Sequence, residues 1–567
     1  MAEARAETEP AKRTDLRLVP AVATSWGAAL VGSFNGALWS WATAGVLAFA
    51  AAVLMIGGRR RQPAGTRART LPATFALACF MGASVAVHCA AVATQREAGP
   101  LAEAVAGKDG VVIQLLIKAS PKEASVPGHT GASRWTVEAT MKEVTAKGTV
   151  TRGAAEVVVT GGDSWKEVQP GQLVRTTGIL KEVREGQTEA AILSASSGPV
   201  VIRSQFDVRQ SAGQLKQAFV SATQWLPADA AGLLPGMVTG DTSAMPESLG
   251  TDMKTTGMTH LTAVSGSNCS LILGGFIVMA RSFRLSRPLS AALAASGLAG
   301  FVVMVGPDPS VLRAAVMGAV GLAALAGGLR GRSLTFLCVA TAVLLLIDPA
   351  MAGNVGFLLS VLATLGIVLL ARRIASWIPA RVPRWIAAGV AVPLSAQLLC
   401  GPVIVALQPQ FTPYSFLANV VAGPLVAPVT ILGTIAVPLA ALAPWLAVVP
   451  VAVAGGCAAA VAGVARYFAG LPGAALPWAD GPVGIASMLT FSAVAVLMTW
   501  SVLHPAAFLR TVLAFHGRIM KGLESLERRV PRRANPRGAV RSQRRRHGRP
   551  KASGCCPKRE NQENPDK

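Results

Sequence analysis

Long apolar segments separated by short polar loops dominate this chain. A helix needs roughly 20 apolar residues to cross the hydrocarbon of a bilayer. Segments near this length form two groups, one before residue 100 and one after residue 258. They lie near residues 20–38, 40–57 and 71–94, and near 259–280, 289–306, 310–328, 333–348, 352–371, 385–407, 414–443, 446–470 and 482–503. The pattern predicts an α-helical polytopic membrane protein with about 12 spans.

One segment departs from the pattern of a simple span. Residues 414–443 are longer than a straight crossing requires and contain Pro424, Pro428 and Pro438. Proline removes a backbone donor and kinks or breaks a helix. We therefore expect a broken or re-entrant helix, which a membrane tolerates where protein or water covers the freed backbone.

The residues between the two apolar groups have the pattern of short strands. Apolar runs broken by glycine, proline and serine lie at residues 111–118, 134–144, 154–160, 172–183 and 189–196. Short strands at this spacing are typical of a small β-barrel or sandwich. We assign residues 100–205 to an OB-fold-like β domain. Residues 206–258 are predicted to be an amphipathic helical linker, clearest at 214–226.

The charge distribution orients the predicted spans. The formal net charge of +24 suits either a nucleic-acid binder or a membrane protein with basic cytoplasmic loops. Arginines concentrate near both termini and between apolar runs, which favours the second interpretation. Residues 1–99 then form an N-terminal membrane domain, 259–503 a larger one and 504–567 a basic disordered tail. Both termini are expected in the cytoplasm, with the β domain across the membrane.

Composition excludes several classes of protein. With 52% hydrophobic and 14% charged residues, the chain is too apolar for an ordinary soluble protein. The eight cysteines contain no paired CxxC motifs, so we expect neither a metal site nor a disulfide framework. No GxxxxGK[ST] P-loop occurs, so we expect neither a nucleotide-driven motor nor a cofactor.

Polar residues stand where the second apolar group begins, in HLTAVSGSNCSLILGG. His260, Ser265 and Asn268 are costly in hydrocarbon unless each finds a partner, and Gly266 permits a close backbone approach. Either they hold helices together, or they line a wet passage for a polar polymer. Ser265 lacks the preceding glycine of a G-x-S-x-G elbow, and no nearby acid orients His260. We therefore expect no enzyme activity and no catalytic residue.

Further polar groups lie in later apolar segments. Arg313 follows the predicted far-side start of a span, where a guanidinium pairs with Asp308, snorkels, or attracts phosphate. Arg466, near the far end of another span, allows the same interpretations. Neutral donors and acceptors suit a pore because they release a passing polymer. Candidates of this kind are Asn354, Ser360, Gln397 and Asn419.

Five motifs in order resemble those of one family. They are LLPGMVTGD with HLTAVSGSNCSLI, then SVLRAAVMG, DPAMAGNVGFLLSVLATLG, SAQLLCGPV and FTPYSFLANVVAGPLVAP. Together they resemble the ComEC family of DNA-uptake channels, which also places an OB-fold-like domain after two or three spans. The resemblance implies a channel in the cytoplasmic membrane of a bacterium that passes single-stranded DNA inward during natural transformation, or competence.

The chain departs from the family pattern at two points. The family usually has a second histidine shortly after the Ser-Gly pair, where this chain has Asn268. Long members end in a metallo-β-lactamase-like nuclease domain with an HxHxDH motif, whereas His504, His516 and His547 stand apart here. The chain thus resembles the short form of the family, for which no nuclease activity is expected.

The resemblance also implies partners. These are single-stranded DNA, membrane lipids, an extracytoplasmic helix-hairpin-helix DNA receptor, a separate nuclease and a cytosolic helicase or translocase. A homo-oligomer is compatible with the sequence. In the β domain, Trp135 and Trp165 are the aromatic candidates for stacking on single-stranded DNA. The alternative function is a small-molecule or lipid transporter on the same scaffold.

Overall fold

The structure is a computed structural model of the chain. It describes residues 15–60, 70–98, 105, 107, 110–118, 121–124, 134–169, 171–181, 190–204, 208–262, 264, 266–306, 309–326, 333–379, 381–503 and 505–527. Contacts divide the chain into two compact units, Met1–Leu497 and Met498–Lys567.

The described residues before position 100 contain three apolar helices, α1 (Val19–Phe34), α2 (Ala37–Arg60) and α3 (Thr70–Ala98). Helix α3 packs along both α1 and α2. Small residues such as Ala29 and Ala86 fill the contacts, while the large side chains of Leu38 and Trp39 point outward. Small residues inside and large apolar residues outside are typical of helices that face lipid. Trp26 in α1 stacks on Phe357, with ring centroids 5.1 Å apart, and joins this bundle to the later spans.

The predicted β domain is present and is a closed barrel. Its strands are β1 (Gly110–Ile117), β2 (Lys122–Ala124), β3 (Arg134–Ala146), β4 (Thr149–Gly161), β5 (Gln172–Lys181), β6 (Ala191–Ala195) and β7 (Val200–Ser204). The barrel runs β1-β3-β4-β6-β5 and closes by pairing of β5 with β1. Neighbours are antiparallel except β4 and β6, which are parallel. This order, with one parallel pair, is the OB-fold topology.

Alternating side chains fill the barrel. Ile113, Leu115 and Ile117 on β1 point inward and are fully buried, as are Val159 on β4 and Leu193 on β6. The short apolar runs therefore predicted these strands correctly, and the structure adds that their buried side chains follow a period of two.

The predicted linker is instead part of the protein core. Residues 208–255 form α4 (Val208–Thr223), α5 (Ala228–Thr239) and α6 (Glu247–Thr255). Leu233 and Leu234 in α5 are fully buried in a cluster with Val437 and Val451 from later helices. The prediction of an amphipathic linker fails at α5 because nearly all of residues 230–239 are buried, and a helix that is buried all round belongs to a core.

In the described part of the second apolar group, ten α-helices follow. They are α7 (Gly266–Ser282), α8 (Arg287–Val305), α9 (Pro309–Ala326), α10 (Ser333–Ile347), α11 (Val355–Gly366), α12 (Arg372–Trp377), α13 (Arg384–Leu407), α14 (Ser415–Leu442), α15 (Pro444–Ala469) and α16 (Gly481–Leu503). Helix α11 continues into α12 through a π-helical turn, Ile367–Ala371. Within the described residues, eight helices are long and apolar enough to cross a membrane, and four shorter helices are apolar. Each predicted span corresponds to one of these, which confirms a polytopic membrane protein.

Helix α14 corrects the expectation of a broken segment. It is continuous over 28 residues although Pro424, Pro428 and Pro438 lie inside it. A helix of that length extends about 42 Å, more than the hydrocarbon thickness, so it fits a tilted crossing. In such spans, neighbouring helices and local side chains satisfy the backbone groups that proline leaves without a hydrogen bond.

The second unit contains helix α17 (Pro505–Glu527), so the expectation of disorder is wrong for these residues. Leu509, Leu513 and Met520 recur at helical spacing and are exposed. This spacing gives the helix one apolar face. The prediction of disorder rested on the basic charge of the tail and did not take this apolar spacing into account. The basic run at residues 527–551 lies outside the described residues, apart from its first residue.

Contacts outside the spans agree with the predicted alternation. Strand β8 (Gln410–Phe411), after α13, pairs with β9 (Leu476–Pro477), after α15. Lys216 in α4 donates from Nζ to the Val305 carbonyl at the end of α8, over 2.7 Å. The alternation assigns these span ends to one face of the membrane, and the contacts bring them together there.

Candidate functional site

The turn before α7 is held against α14. Gly257 has a φ of +67°, in the left-handed region that favours glycine, and a Cβ there would collide with Ser415 Oγ. His260 follows in a short 3-10 turn, and its Nδ1 lies 3.2 Å from the Gly257 carbonyl oxygen. The glycine thus places His260 beside the first turn of α14, and the predicted span begins at Gly266 instead of residue 259.

His260 has an unusual environment. Its side chain is accessible to solvent, yet desolvation by the protein around it lowers its pKa, against the opposing effect of the Gly257 hydrogen bond. With a lowered pKa the imidazole is neutral near pH 7, so it offers one donor and one acceptor.

Asn419 contacts Ser415, the residue against which Gly257 packs. Its Nδ2 donates to the Ser415 carbonyl over 2.8 Å and approaches Ser415 Oγ at 3.4 Å. The side chain is half-buried. Two predicted site residues, distant in sequence, therefore share one end of α14.

Asn268 is sealed in a contact among three helices. It is 3% exposed, and its Nδ2 donates to the Met237 carbonyl in α5 over 3.0 Å. Its Oδ1 accepts from Thr430 Oγ1 in α14 over 3.2 Å. In this conformation Asn268 therefore joins helices and does not line a wet passage, because protein groups satisfy its amide and exclude solvent. Of the two interpretations, helix contact describes this residue.

Arg313 is buried beside the start of α7. It is 3% exposed, and its Nη2 lies 3.6 Å from where a Cβ at Gly266 would stand. Glycine thus leaves room for the guanidinium next to the first turn of α7. Among the described residues, its Nε and Nη1 have no hydrogen-bond partner. Ser265 and Asp308, the partner suggested by sequence, lie outside the described residues.

The remaining pore candidates lie on α11 and α13. Asn354 is exposed and caps α11, since its Oδ1 accepts from the Phe357 amide over 3.0 Å. Ser360 is half-buried on the same helix. Gln397 in α13 is half-buried and has no hydrogen-bond partner among the described residues. Cys400, one turn along from Gln397, donates to the Leu359 carbonyl over 3.3 Å, so this side of α13 lies near α11.

Arg466 is paired. Its Nε and Nη2 donate to the two carboxylate oxygens of Asp229 over 2.6 and 2.7 Å, and Nη1 donates to Asp252 over 3.2 Å. The Arg466 hydrogen bond holds the pKa of Asp229 below its usual value. This ion-pair network ties α5 and α6 to α15. The acidic partners were not predicted, because residues more than 200 positions apart give no local signal.

The barrel tryptophans differ in exposure. Trp165 is 1% exposed within the barrel core, so its ring has no face for a base. Trp135 is half-buried, and Lys166 Nζ stands 5.7 Å from the centroid of its ring. A cation over an aromatic face occupies the position that a stacked base would take. Of the two tryptophans predicted to stack on DNA, Trp135 is therefore the one with an accessible ring. Lys166 must move away from that ring before a base can stack on it.

The candidate pore side chains form two separate sets. His260 and Asn419 lie at one end of α14, while Ser360 and Gln397 lie near the contact of α11 with α13. Among the described residues no hydrogen bond joins the two sets. Their groups are neutral donors and acceptors, which suit reversible contact with a polar ligand.

Comparison with known proteins covers part of the chain. The family model described as Competence protein matches residues 237–503. ComE operon protein 3 of Bacillus subtilis (strain 168) is 31% identical over 156 residues, which cover 27% of this chain and 20% of that relative. The matched part of the chain thus spans about a fifth of the length of the curated relative. No solved structure matches the chain.

The family match includes every predicted motif after residue 258 and most of the structure built from α5 to α16. It begins inside α5, whose buried residues belong to the same core as α14 and α15. The resemblance predicted from the ordered motifs is thereby confirmed. Residues 237–503 are similar to the Competence protein family, within a chain that has the apolar helices of a polytopic membrane protein.

Proposed function

We propose that this protein carries single-stranded DNA across the bacterial cytoplasmic membrane during natural transformation. The observation that carries the proposal is Gln397, a half-buried amide within a span that has no hydrogen-bond partner among the described residues. Such an amide is costly in hydrocarbon unless water or a ligand satisfies it. It lies inside a domain whose family is named for competence.

The other wet or half-buried groups support the same function. His260 is an exposed ring whose lowered pKa keeps it neutral near pH 7, and Asn419 and Ser360 present hydrogen-bonding groups from two helices. A sugar-phosphate chain makes many weak polar contacts and must be released from each one. Neutral side chains distributed over several spans meet both requirements.

The barrel and the partners complete the proposal. OB-folds bind single strands in a basic groove with stacking aromatics, and Trp135 is the aromatic residue with an accessible position here. The proposal places the barrel on the extracytoplasmic side, where a helix-hairpin-helix receptor would deliver DNA, with both termini in the cytoplasm. A separate nuclease and a cytosolic helicase or translocase would degrade one strand and draw in the other.

Uptake of labelled DNA tests this proposal. A strain lacking the chain is complemented with the wild type, His260→Ala or Gln397→Leu, at matched protein abundance. We expect the wild type to restore DNase-resistant label in the cytosol and both variants to reduce it at least about tenfold, equivalent to ~1.4 kcal/mol.

Val392→Ala is the matched control, because Val392 lies on the same helix as Gln397 but is an exposed apolar residue. It should transport as the wild type does. Normal DNA uptake in the uncomplemented deletion strain would contradict the proposal and favour a small-molecule or lipid transporter.

A further inference from the structure

Arg313 presents two unused donors in the interior of the spans. Its side chain is 3% exposed, and Nε and Nη1 have no partner among the described residues. A buried guanidinium without a counter-charge is expensive in a membrane protein. The contact at Asn268 shows that helices of this domain can be joined by a neutral amide, so adhesion alone does not require a cation here.

The position of Arg313 raises the free-energy cost of burying its charge. Its guanidinium lies against Gly266, the first residue of α7, which is 17 residues long. The N-terminus of a helix carries a partial positive charge and several unpaired N–H groups. Two positive groups therefore lie close together. An anion between them would relieve the repulsion and accept hydrogen bonds from both.

The described surroundings supply no such anion. Arg313 lies next to an apolar cluster that contains Val264, Cys269 and Val311. Among the described residues, the titratable group that interacts electrostatically with Arg313 is the Cys269 thiol, and no carboxylate does. A ligand that carries a single compact negative charge with several acceptor oxygens fits these donors.

We propose that the Arg313 guanidinium and the first turn of α7 bind one phosphodiester group of the translocated strand. The inference rests on the proposed function and specifies where the strand's charge is held. In this structure the site is closed to solvent, so the strand reaches it when the spans around α7 separate. One guanidinium and one helix end give a single phosphate contact, which is weak enough to release at each step.

Thiol labelling at Cys269 tests the site independently of transport. The full-length chain, with every other cysteine replaced by alanine, is placed in phosphatidylcholine nanodiscs. Cys269 is then reacted with anionic sulfonatoethyl or cationic trimethylammonioethyl methanethiosulfonate. We expect the anionic reagent to react faster, and Arg313→Gln to lower the ratio of anionic to cationic rates about tenfold, or ~1.4 kcal/mol.

Matched variants separate local from general charge effects. Arg313→Lys should retain most of the anionic preference, because it keeps the charge. Arg281→Gln removes an exposed arginine at the other end of α7 and should leave the ratio unchanged. No reaction at Cys269 with either reagent, or an equal ratio in wild type and Arg313→Gln, would overturn the proposal.

Protection by ligands identifies the source of the phosphate. A phosphodiester oligothymidylate should slow labelling of Cys269 in the wild type at least about threefold, ~0.7 kcal/mol, and an uncharged methylphosphonate oligomer should not. Protection by inorganic phosphate or by added phosphatidylglycerol, but not by the oligothymidylate, would assign the site to another anion and overturn the inference. Cells that need the chain for DNA uptake yet transport normally with Arg313→Gln would also refute it, while leaving the proposed function intact.

Discussion

At the residue scale, the same side-chain type serves different purposes in this protein. Asn268 and Gln397 are both amides in apolar segments, but Asn268 is satisfied by Met237 and Thr430, whereas Gln397 has no partner among the described residues. The sequence identified both as candidates because amides are rare in spans. It did not separate them, since the partners of Asn268 come from helices about 30 and 160 positions away.

Replacement of Asn268 should affect stability before transport. In Asn268→Leu, the Met237 carbonyl and Thr430 hydroxyl lose their partner, so we expect a loss of ~1 kcal/mol in unfolding free energy. Thr430→Val should cost less, and the double variant should lose less than the sum of the two. Denaturation in detergent micelles measures all three. Ser270→Ala, an exposed position on α7, is the control, and a stable Asn268→Leu protein with blocked uptake would contradict the helix-contact role.

At the scale of helices and strands, local sequence patterns predicted whether a segment is helix or strand better than they predicted where that element lies in the fold. The strands of the barrel and the apolar helices follow from their periods, because neighbouring residues on one face share an environment. Besides α17, two helices in the spans and core escaped these rules. Helix α14 stays continuous through three prolines, and α5 is buried, because tertiary packing overrides local propensity in both. The family motif that begins in α5 was the one sequence signal that linked it to the spans.

The Arg466 network that ties α5 and α6 to α15 predicts a dependence on pH. Arg466 lowers the pKa of Asp229 below the ordinary value of about 3.9. A lowered carboxyl pKa in the folded state contributes stability above the unfolded pKa, and this is lost as pH falls through the folded value. We therefore expect the melting temperature of the wild type to fall more between pH 5 and pH 3 than that of Arg466→Gln.

The pH comparison has an internal control. Arg384→Gln removes an exposed arginine at the start of α13 and should follow the wild-type pH profile. Intrinsic fluorescence in detergent micelles measures all three proteins. Parallel pH profiles for wild type and Arg466→Gln would show that the network does not hold these helices together in solution.

At the scale of the whole molecule, the topology is internally consistent. Asp348, at the end of α10, lies near the barrel residues Lys118 and Glu156, and burial raises its pKa. The contacts of Lys216 with Val305 and of Arg466 with Asp229 join other span ends to α4 and α5. The alternation of arginine-rich loops placed all these ends on one face of the membrane. The contacts agree with this grouping of span ends, whereas which face is extracytoplasmic stays a prediction. The grouping of polar side chains within the membrane needed the fold.

The central claim is that a water-filled path for DNA runs beside Gln397. To test it, Gln397→Cys is introduced into an otherwise cysteine-free chain in membranes and treated with a hydrophilic, membrane-impermeant thiol reagent. Val392→Cys and Ile404→Cys are the controls, because both positions are exposed and apolar on the same helix. The account predicts that position 397 reacts, that both controls do not, and that single-stranded DNA protects position 397. An unreactive position 397, or equal reaction at all three positions, would contradict it.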